Sequence, residues 1–172
     1  HKAAAKAVDL LERRAKDRKP FFPAVGLVRP HVPLVAPASF FESYPAKQIT
    51  LPPGVERHWD DRPKAGISKN SAGSGLDGAL KKQKVLEAYY ASVTYMDAQV
   101  GKMVSAVDRL GLRDNTIIVF TADHGYHLGE HDFWQKMSLH EESTRIPLII
   151  HVPGKKSGKS AALSQQIDIY PT

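Results

Sequence analysis

Apolar positions along the 172-residue chain fall into blocks of different period. In HKAAAKAVDLLERRAKD, Ala4, Val8, Leu11 and Ala15 recur at helical spacing and predict a helix over 1–16. FFPAVGLV follows as a short apolar run, rich in Phe and Val and bounded by prolines, and predicts a buried strand over 20–28. From 29 to 82 the periodicity dissolves. RPHVPLVAPASFFESYPAKQITLPPG is proline-rich, and each proline removes a backbone donor and fixes φ. Neither a helix nor a central strand is sustainable there, so an extended, wandering surface loop is expected. DDRPKAGISKNSAGSGLDGAL, from Asp60 to Leu80, is rich in Gly, Ser and charge and is expected to be the most mobile stretch.

Periodicity returns at Leu86, Tyr89, Tyr90, Val93, Met96, Val100, Met103, Val107 and Leu110. These steps of one, three and four predict an amphipathic helix over 83–110, with Gly111 as its C-terminal stop. The β-branched run TIIVFTA predicts a strand over 116–122, and IPLIIHV predicts another over 146–152. A loop at 123–145 separates them. Helices alternating with apolar strands imply an α/β fold with a largely parallel sheet flanked by helices. The length suits about one domain.

Composition narrows the class without choosing a function. At 42% hydrophobic and 24% charged residues, the chain is globular in character, and no apolar run reaches the roughly 18 residues of a membrane span. The net charge of +6 favours anionic partners on electrostatic grounds. With no cysteine, the chain offers no disulfide, thiolate metal site or cysteine nucleophile. It lacks an initiator Met and opens as though already inside a helix, so a piece of a longer protein is expected.

The chemistry concentrates in TADHGYHLGEHDFWQK, Thr121 to Lys136, directly after the predicted strand. Ligands of an α/β sheet sit beyond the carboxyl ends of its strands. Asp123 supplies hard carboxylate oxygens and His124 an imidazole nitrogen, while Gly125 lets the backbone turn sharply enough for both to face one point. An Asp-His pair can equally be a turn with a capping aspartate.

The wider pattern resembles the sulfatase family of the alkaline-phosphatase superfamily, most of all its iduronate-2-sulfatase-like branch. The resemblance runs through KPFFPAVGLVRPHVPLVAP, YPAKQITLPP, the block from YYASVTYMDAQVG to IPLIIHVPG, and DIYPT. TADHG is shared with phosphatases of the superfamily, whereas LGEH, then W-x-K, with PHVP upstream, is more particular to sulfatases. The resemblance implies an alkaline-phosphatase-like fold, incomplete in this chain, and hydrolysis of sulfate esters, on a sulfated carbohydrate. It implies a calcium ion held by Asp123 and His124, with Asp123 the firmer ligand because a hard cation prefers oxygen. It also implies that Lys136 neutralises a sulfate oxygen and that His31 contacts the sulfate and donates a proton to the leaving oxygen.

Other residues are read less sharply. His127, His131 and Trp134 either line the substrate pocket or hold the loop, and Glu130 pairs with one of the histidines. Glu141, Glu142 and Arg145 are expected to tie the loop to the next strand, and His151 to be a core histidine.

The family nucleophile is a formylglycine made from Cys or Ser in a C/S-x-P-x-R motif, and neither version occurs here. The family's paired N-terminal aspartates and its second lysine and histidine set are absent as well, so formylglycine is expected upstream, in the remainder of a sulfatase chain. Taken alone, the chain is expected to be inactive. Nucleic-acid and membrane partners are not expected, and the location implied is periplasmic or secreted, or lysosomal in a eukaryote. Two other readings stay open: a metal-dependent phosphatase, phosphodiesterase or phosphonate hydrolase of the same superfamily, and a non-catalytic binder of sulfated glycans.

Overall fold

The computed structural model describes residues 2–53, 63 and 76–172. Helix α1, Lys2–Asp17, lays its Ala4, Ala7 and Leu11 stripe against the long helix α2, Ala79–Arg109. Leu11 meets Ala106 and Val107 in the buried seam, with Val8, Phe21, Leu110 and Leu112 packed round it. Small alanines allow close approach of the helices, and the larger side chains fill the remaining space. Arg14 and Lys16 in the last turn of α1 complement the negative end of its dipole. Arg109 of α2 donates to Glu12 of α1 at 2.7 Å, but both partners are about half exposed, so this pair fixes register more than it adds stability.

Helix α2 ends where the sequence expects. Gly111 adopts φ +67°, and the N–H groups of Leu110, Gly111 and Leu112 return to the carbonyls of Ala106, Asp108 and Val107. A left-handed glycine satisfies the last carbonyls of a helix without a Cβ clash. Arg113 then donates to both carboxylate oxygens of Asp108 and closes the turn towards the next strand.

The proline-rich segment, expected to wander, is instead strapped along α2. Tyr44 Oη shares a hydrogen bond with Thr94 Oγ1 at 2.7 Å, Glu87 accepts from the Ala46 N–H at 3.1 Å, and Gln83 donates to the Ile49 carbonyl at 2.8 Å. Phe40 meets Tyr95 edge-on at 5.3 Å and Tyr44 tilts onto Tyr90 at 5.6 Å. Aromatic rings supply the burial that a segment poor in backbone donors cannot obtain from a ladder. Most of the Gly- and Ser-rich stretch expected to be mobile lies outside the described residues.

Strand β1, Ile118–Thr121, pairs with β4, Leu148–His151, with Ile118 opposite His151 and Thr121 opposite Leu148. Between them lie a two-residue ribbon, β2 His127–Leu128 with β3 Trp134–Gln135, and the short helix α3, Glu141–Thr144. The mixed helix and sheet composition agrees with the α/β expectation. The strand direction does not follow the parallel one, because both ladders among the described residues are antiparallel. A parallel return needs a crossover that carries the chain back to its starting end. Here the excursion is spent on the ribbon and a four-residue helix, so β4 comes straight back alongside β1.

Segment 20–28, expected as a buried strand, makes no ladder and is largely exposed, and Val119, Ile149 and Ile150 of the β1–β4 pair are 47, 61 and 47% exposed. An open cavity of about 2960 Å³ is bounded by this segment, α2 and the β1–β4 pair. Prolines 20 and 23 also lack the donors a ladder needs. No helix among the described residues is long and apolar enough to cross a membrane.

Replacing Leu11 by Ala removes the side chain that fills the α1–α2 seam. The expected loss is about 2–5 kcal/mol of unfolding free energy, read as a lower denaturant midpoint at unchanged slope in the full-length protein. An unchanged midpoint would mean that the seam carries no stability.

Candidate active-site loop

The DHG turn begins two residues beyond β1, at its carboxyl end. What forces its shape is Gly125. A Cβ there would lie 2.1 Å from the Glu142 carbonyl oxygen and 2.9 Å from that of Arg145, distances no side chain tolerates. The glycine allows its own N–H to donate to the Ser143 carbonyl at 2.8 Å, which fastens the turn to α3. On the other side, Gln166 Nε2 donates to the Ala122 carbonyl at 2.7 Å, so the segment leading to DIYPT also returns to the strand end.

This anchoring sets the two candidate ligands. Asp123 Oδ1 accepts from the His124 N–H at 3.1 Å, and the Asp123 side chain is 88% exposed. His124 Nδ1 lies 2.7 Å from the Gly125 carbonyl. A carbonyl only accepts, so Nδ1 carries the hydrogen and the lone pair of the neutral ring falls on Nε2. That nitrogen lies 3.7 Å from Asp123 Oδ2. A carboxylate oxygen and a bare imidazole nitrogen at this separation fit two ligands of one cation. They fill only part of the shell of six to eight oxygens that calcium takes.

His31 follows the same logic in a different loop. Its N–H donates to the Val28 carbonyl at 2.9 Å, while Arg29 braces the turn by donating to the carbonyls of His31 at 2.7 Å and Pro33 at 2.9 Å. The ring Nδ1 donates to the Val32 carbonyl at 2.7 Å and leaves Nε2 to the open side. The peptide bonds Arg29–Pro30 and Val32–Pro33 are cis. Lys136 follows Gln135, whose φ is +70°, and its carbonyl accepts from the Ser138 N–H at 2.9 Å. His31, Asp123, His124 and Lys136 all line the one open cavity described above, together with Arg29 and Arg145.

The weaker candidates divide on burial. His127 is 0% and Trp134 3% exposed, and neither is among the residues lining the cavity; their burial fits the reading in which they hold the loop. His127 Nε2 is 2.6 Å from Ser138 Oγ, and its ring meets Phe133 and His140 edge-on. His131 also lies off the cavity lining; it stacks on His140 at 4.8 Å and sits 3.9 Å from Glu142. Glu130 accepts from the Leu128 N–H at 2.7 Å, which closes the tight turn at Gly129. Lys82 of α2 meets Asp132 at 3.6 Å, mostly enclosed, and ties the ribbon to the long helix. Arg145 pairs with Glu141 at 3.8 Å on the surface, within the loop. Sequence reasoning passed over His140 and Ser138, although the spacing of His127, His131, His140 and Glu142 within one loop was there to be read.

Burial pushes the His127 ring below the ordinary histidine value, the charges of Glu142 and Glu130 opposing only in part. Burial likewise raises the phenols Tyr89 and Tyr126, whose rings lie 4.8 Å apart and tilted by 30°.

A family model described as Sulfatase matches residues 1–172. Mouse iduronate 2-sulfatase is 40% identical over 169 residues, which cover 91% of this chain and 31% of the mouse protein. Among solved structures, one from Bacteroides thetaiotaomicron, described with the metabolism of glycosaminoglycans, superposes with TM-score 0.68 at 28% identity, covering 88% of this chain and 29% of that one. A phosphonate monoester hydrolase from Silicibacter pomeroyi gives TM-score 0.65 at 26% identity, covering 87% and 33%. The chain therefore spans about a third of the length of each relative.

Two outcomes are expected from this geometry. Gly125→Ala should destabilise the protein by about 3 kcal/mol, since it drives a methyl into backbone carbonyls, and a melting temperature equal to wild type would refute the close approach. For His127, the unfolded chain takes up a proton below a pH of about 6.5 while the buried ring resists it. This residue's contribution is therefore present above that pH and lost as pH falls through it. His127→Gln should flatten the acid side of the stability profile; an unchanged slope would show that the ring titrates normally.

Proposed function

Because the chain belongs to the sulfatase family, we propose that the protein hydrolyses sulfate esters and that this chain contributes one half of the site that does so. The observation that carries the reading is the shared lining of one cavity by His31, Asp123, His124 and Lys136, residues drawn from two loops far apart in sequence. A sulfated carbohydrate is the proposed substrate, in keeping with the name of the mouse relative and with the net charge of +6.

In this reading, Asp123 Oδ2 and His124 Nε2 hold a calcium ion, which when bound supplies positive charge against the sulfate oxygens. The hydrogen bond from His124 Nδ1 to the Gly125 carbonyl keeps the ligating tautomer in place. His31, with Nδ1–H held by the Val32 carbonyl, carries a second proton on Nε2 and passes it to the leaving alcohol oxygen as the S–O bond breaks. The Lys136 ammonium balances the negative charge that shifts among the sulfate oxygens. Neither a Cys-x-Pro-x-Arg nor a Ser-x-Pro-x-Arg motif occurs in this sequence to supply a formylglycine, so the attacking group is proposed to come from the remainder of the protein. Being periplasmic or secreted, or lysosomal in a eukaryote, is the proposed location.

A second reading has one observation in its favour, the likeness to the phosphonate monoester hydrolase. Substrate comparison separates the two. Full-length protein should hydrolyse a chromogenic aryl sulfate, and Lys136→Ala should lower its kcat/KM by a factor on the order of 100 with an unchanged melting temperature. Wild-type rates in that variant would return Lys136 to the ordinary surface, and turnover of a phosphonate monoester without any of the sulfate would replace the proposed reaction. The 172-residue chain by itself should show no turnover of the aryl sulfate.

A further inference from the structure

Beside the cavity, which Glu142 itself helps to line, the ribbon and α3 gather a second set of metal-type ligands. One ligand atom each from His131, His140 and Glu142 lies within 4.8 Å of the others. Glu142 presents its two carboxylate oxygens to two different rings: Oε1 is 3.9 Å from His131 Nε2 and Oε2 is 4.0 Å from His127 Nδ1. We propose that His127, His131, His140 and Glu142 form a transition-metal centre, suited to zinc, that clamps the Lys136-bearing loop to α3.

A second observation points independently to a cation. His127 is wholly enclosed, and its Nδ1 is a buried atom with no hydrogen-bond partner. Glu142 Oε2, which faces it, is buried and without a partner too. At 4.0 Å the two are too far apart to share a proton in a hydrogen bond. Two metal bonds of about 2.0–2.2 Å at a tetrahedral angle hold their ligand atoms about 3.3–3.6 Å apart, so a closing shift of roughly half an ångström seats both on one ion. The remaining ring nitrogen of His127 is held by Ser138 Oγ at 2.6 Å, the outer contact that fixes the tautomer and orientation of a ligating imidazole.

The donor set decides the class of ion. Three imidazoles and one carboxylate suit a borderline cation in tetrahedral geometry, whereas calcium and magnesium seek oxygen shells. Asp123 and His124 offer a different, more open and harder pair, so the two centres would select different metals. Small closing movements bring the three ligands of the 4.8 Å cluster to bonding distance, with His127 approaching through Glu142. The stacked rings of His131 and His140, 4.8 Å apart, are already held in parallel for such closure. The ribbon, Lys136 and the start of α3 would then share one fixed frame, so the metal acts by positioning Lys136.

The test uses full-length protein stripped with a chelator and then saturated with calcium to fill the harder site. Cobalt titration should give a visible ligand-field band at one equivalent, displaced by zinc, and zinc should raise the melting temperature. His140→Phe, a ring suited to its aromatic neighbours, and the isosteric Glu142→Gln should each weaken cobalt binding at least ~100-fold and abolish the zinc-induced shift. Asp123→Asn should leave both readouts intact. Absence of the band and the shift in the wild-type protein, equal binding by both loop variants, or loss of binding in Asp123→Asn would each overturn the proposal.

Discussion

The approach of the Gly125 backbone to the carbonyls of Glu142 and Arg145 is the constraint on which the arrangement of the loop depends. A hydrogen bond such as that from its N–H to the Ser143 carbonyl contributes only about 1 kcal/mol net. Its geometric effect is larger. By holding the end of β1 against α3 it orients Asp123 and His124 outward, and it turns the Glu142 side chain inward towards His127 and His131. It also delivers the chain at Arg145 to the point from which β4 must return.

Helix α2 provides the opposite support. It receives α1 along one stripe, the proline-rich strap along another, and the ribbon through Lys82 and Tyr89. A 31-residue helix is about 46 Å long, enough to brace segments that have too few contacts to stand alone. The strap that carries His31 and the loop that carries Lys136 are thereby held by a common rigid element, which is how groups remote in sequence come to face one cavity.

Local signals were legible where the physics is local. The period of Leu86 to Leu110, the stop at Gly111 and the strand-turn at Asp123 all lie in short windows, and they appear within a few residues of where the pattern puts them. Strand direction was not legible, because it depends on how the intervening excursion is folded and not on the β-branched run itself. The strap was legible as a loop but not in its anchoring: its prolines announce the loss of ladder donors, but only the position of Tyr90, Thr94 and Tyr95 across the fold shows what replaces them. Within the site, residue type identified Asp123, His124, His31 and Lys136 as candidates. The enclosure of His127 arises from Phe133 and His140 closing over it, which no single window reveals.

The β1–β4 pair has a consequence for handling the molecule in pieces. Its apolar side chains at Val119, Ile149 and Ile150, with Ile117 just before β1, are 47 to 62% exposed, and among the described residues each strand has a ladder partner on one edge alone. A short, flat, β-branched edge with no charge along Ile117–Phe120 is a template for strand addition between molecules. Solubility of any shortened form should therefore be governed by this edge rather than by the charged helices, and a lysine at Val119 would act as a gatekeeper against fibre growth.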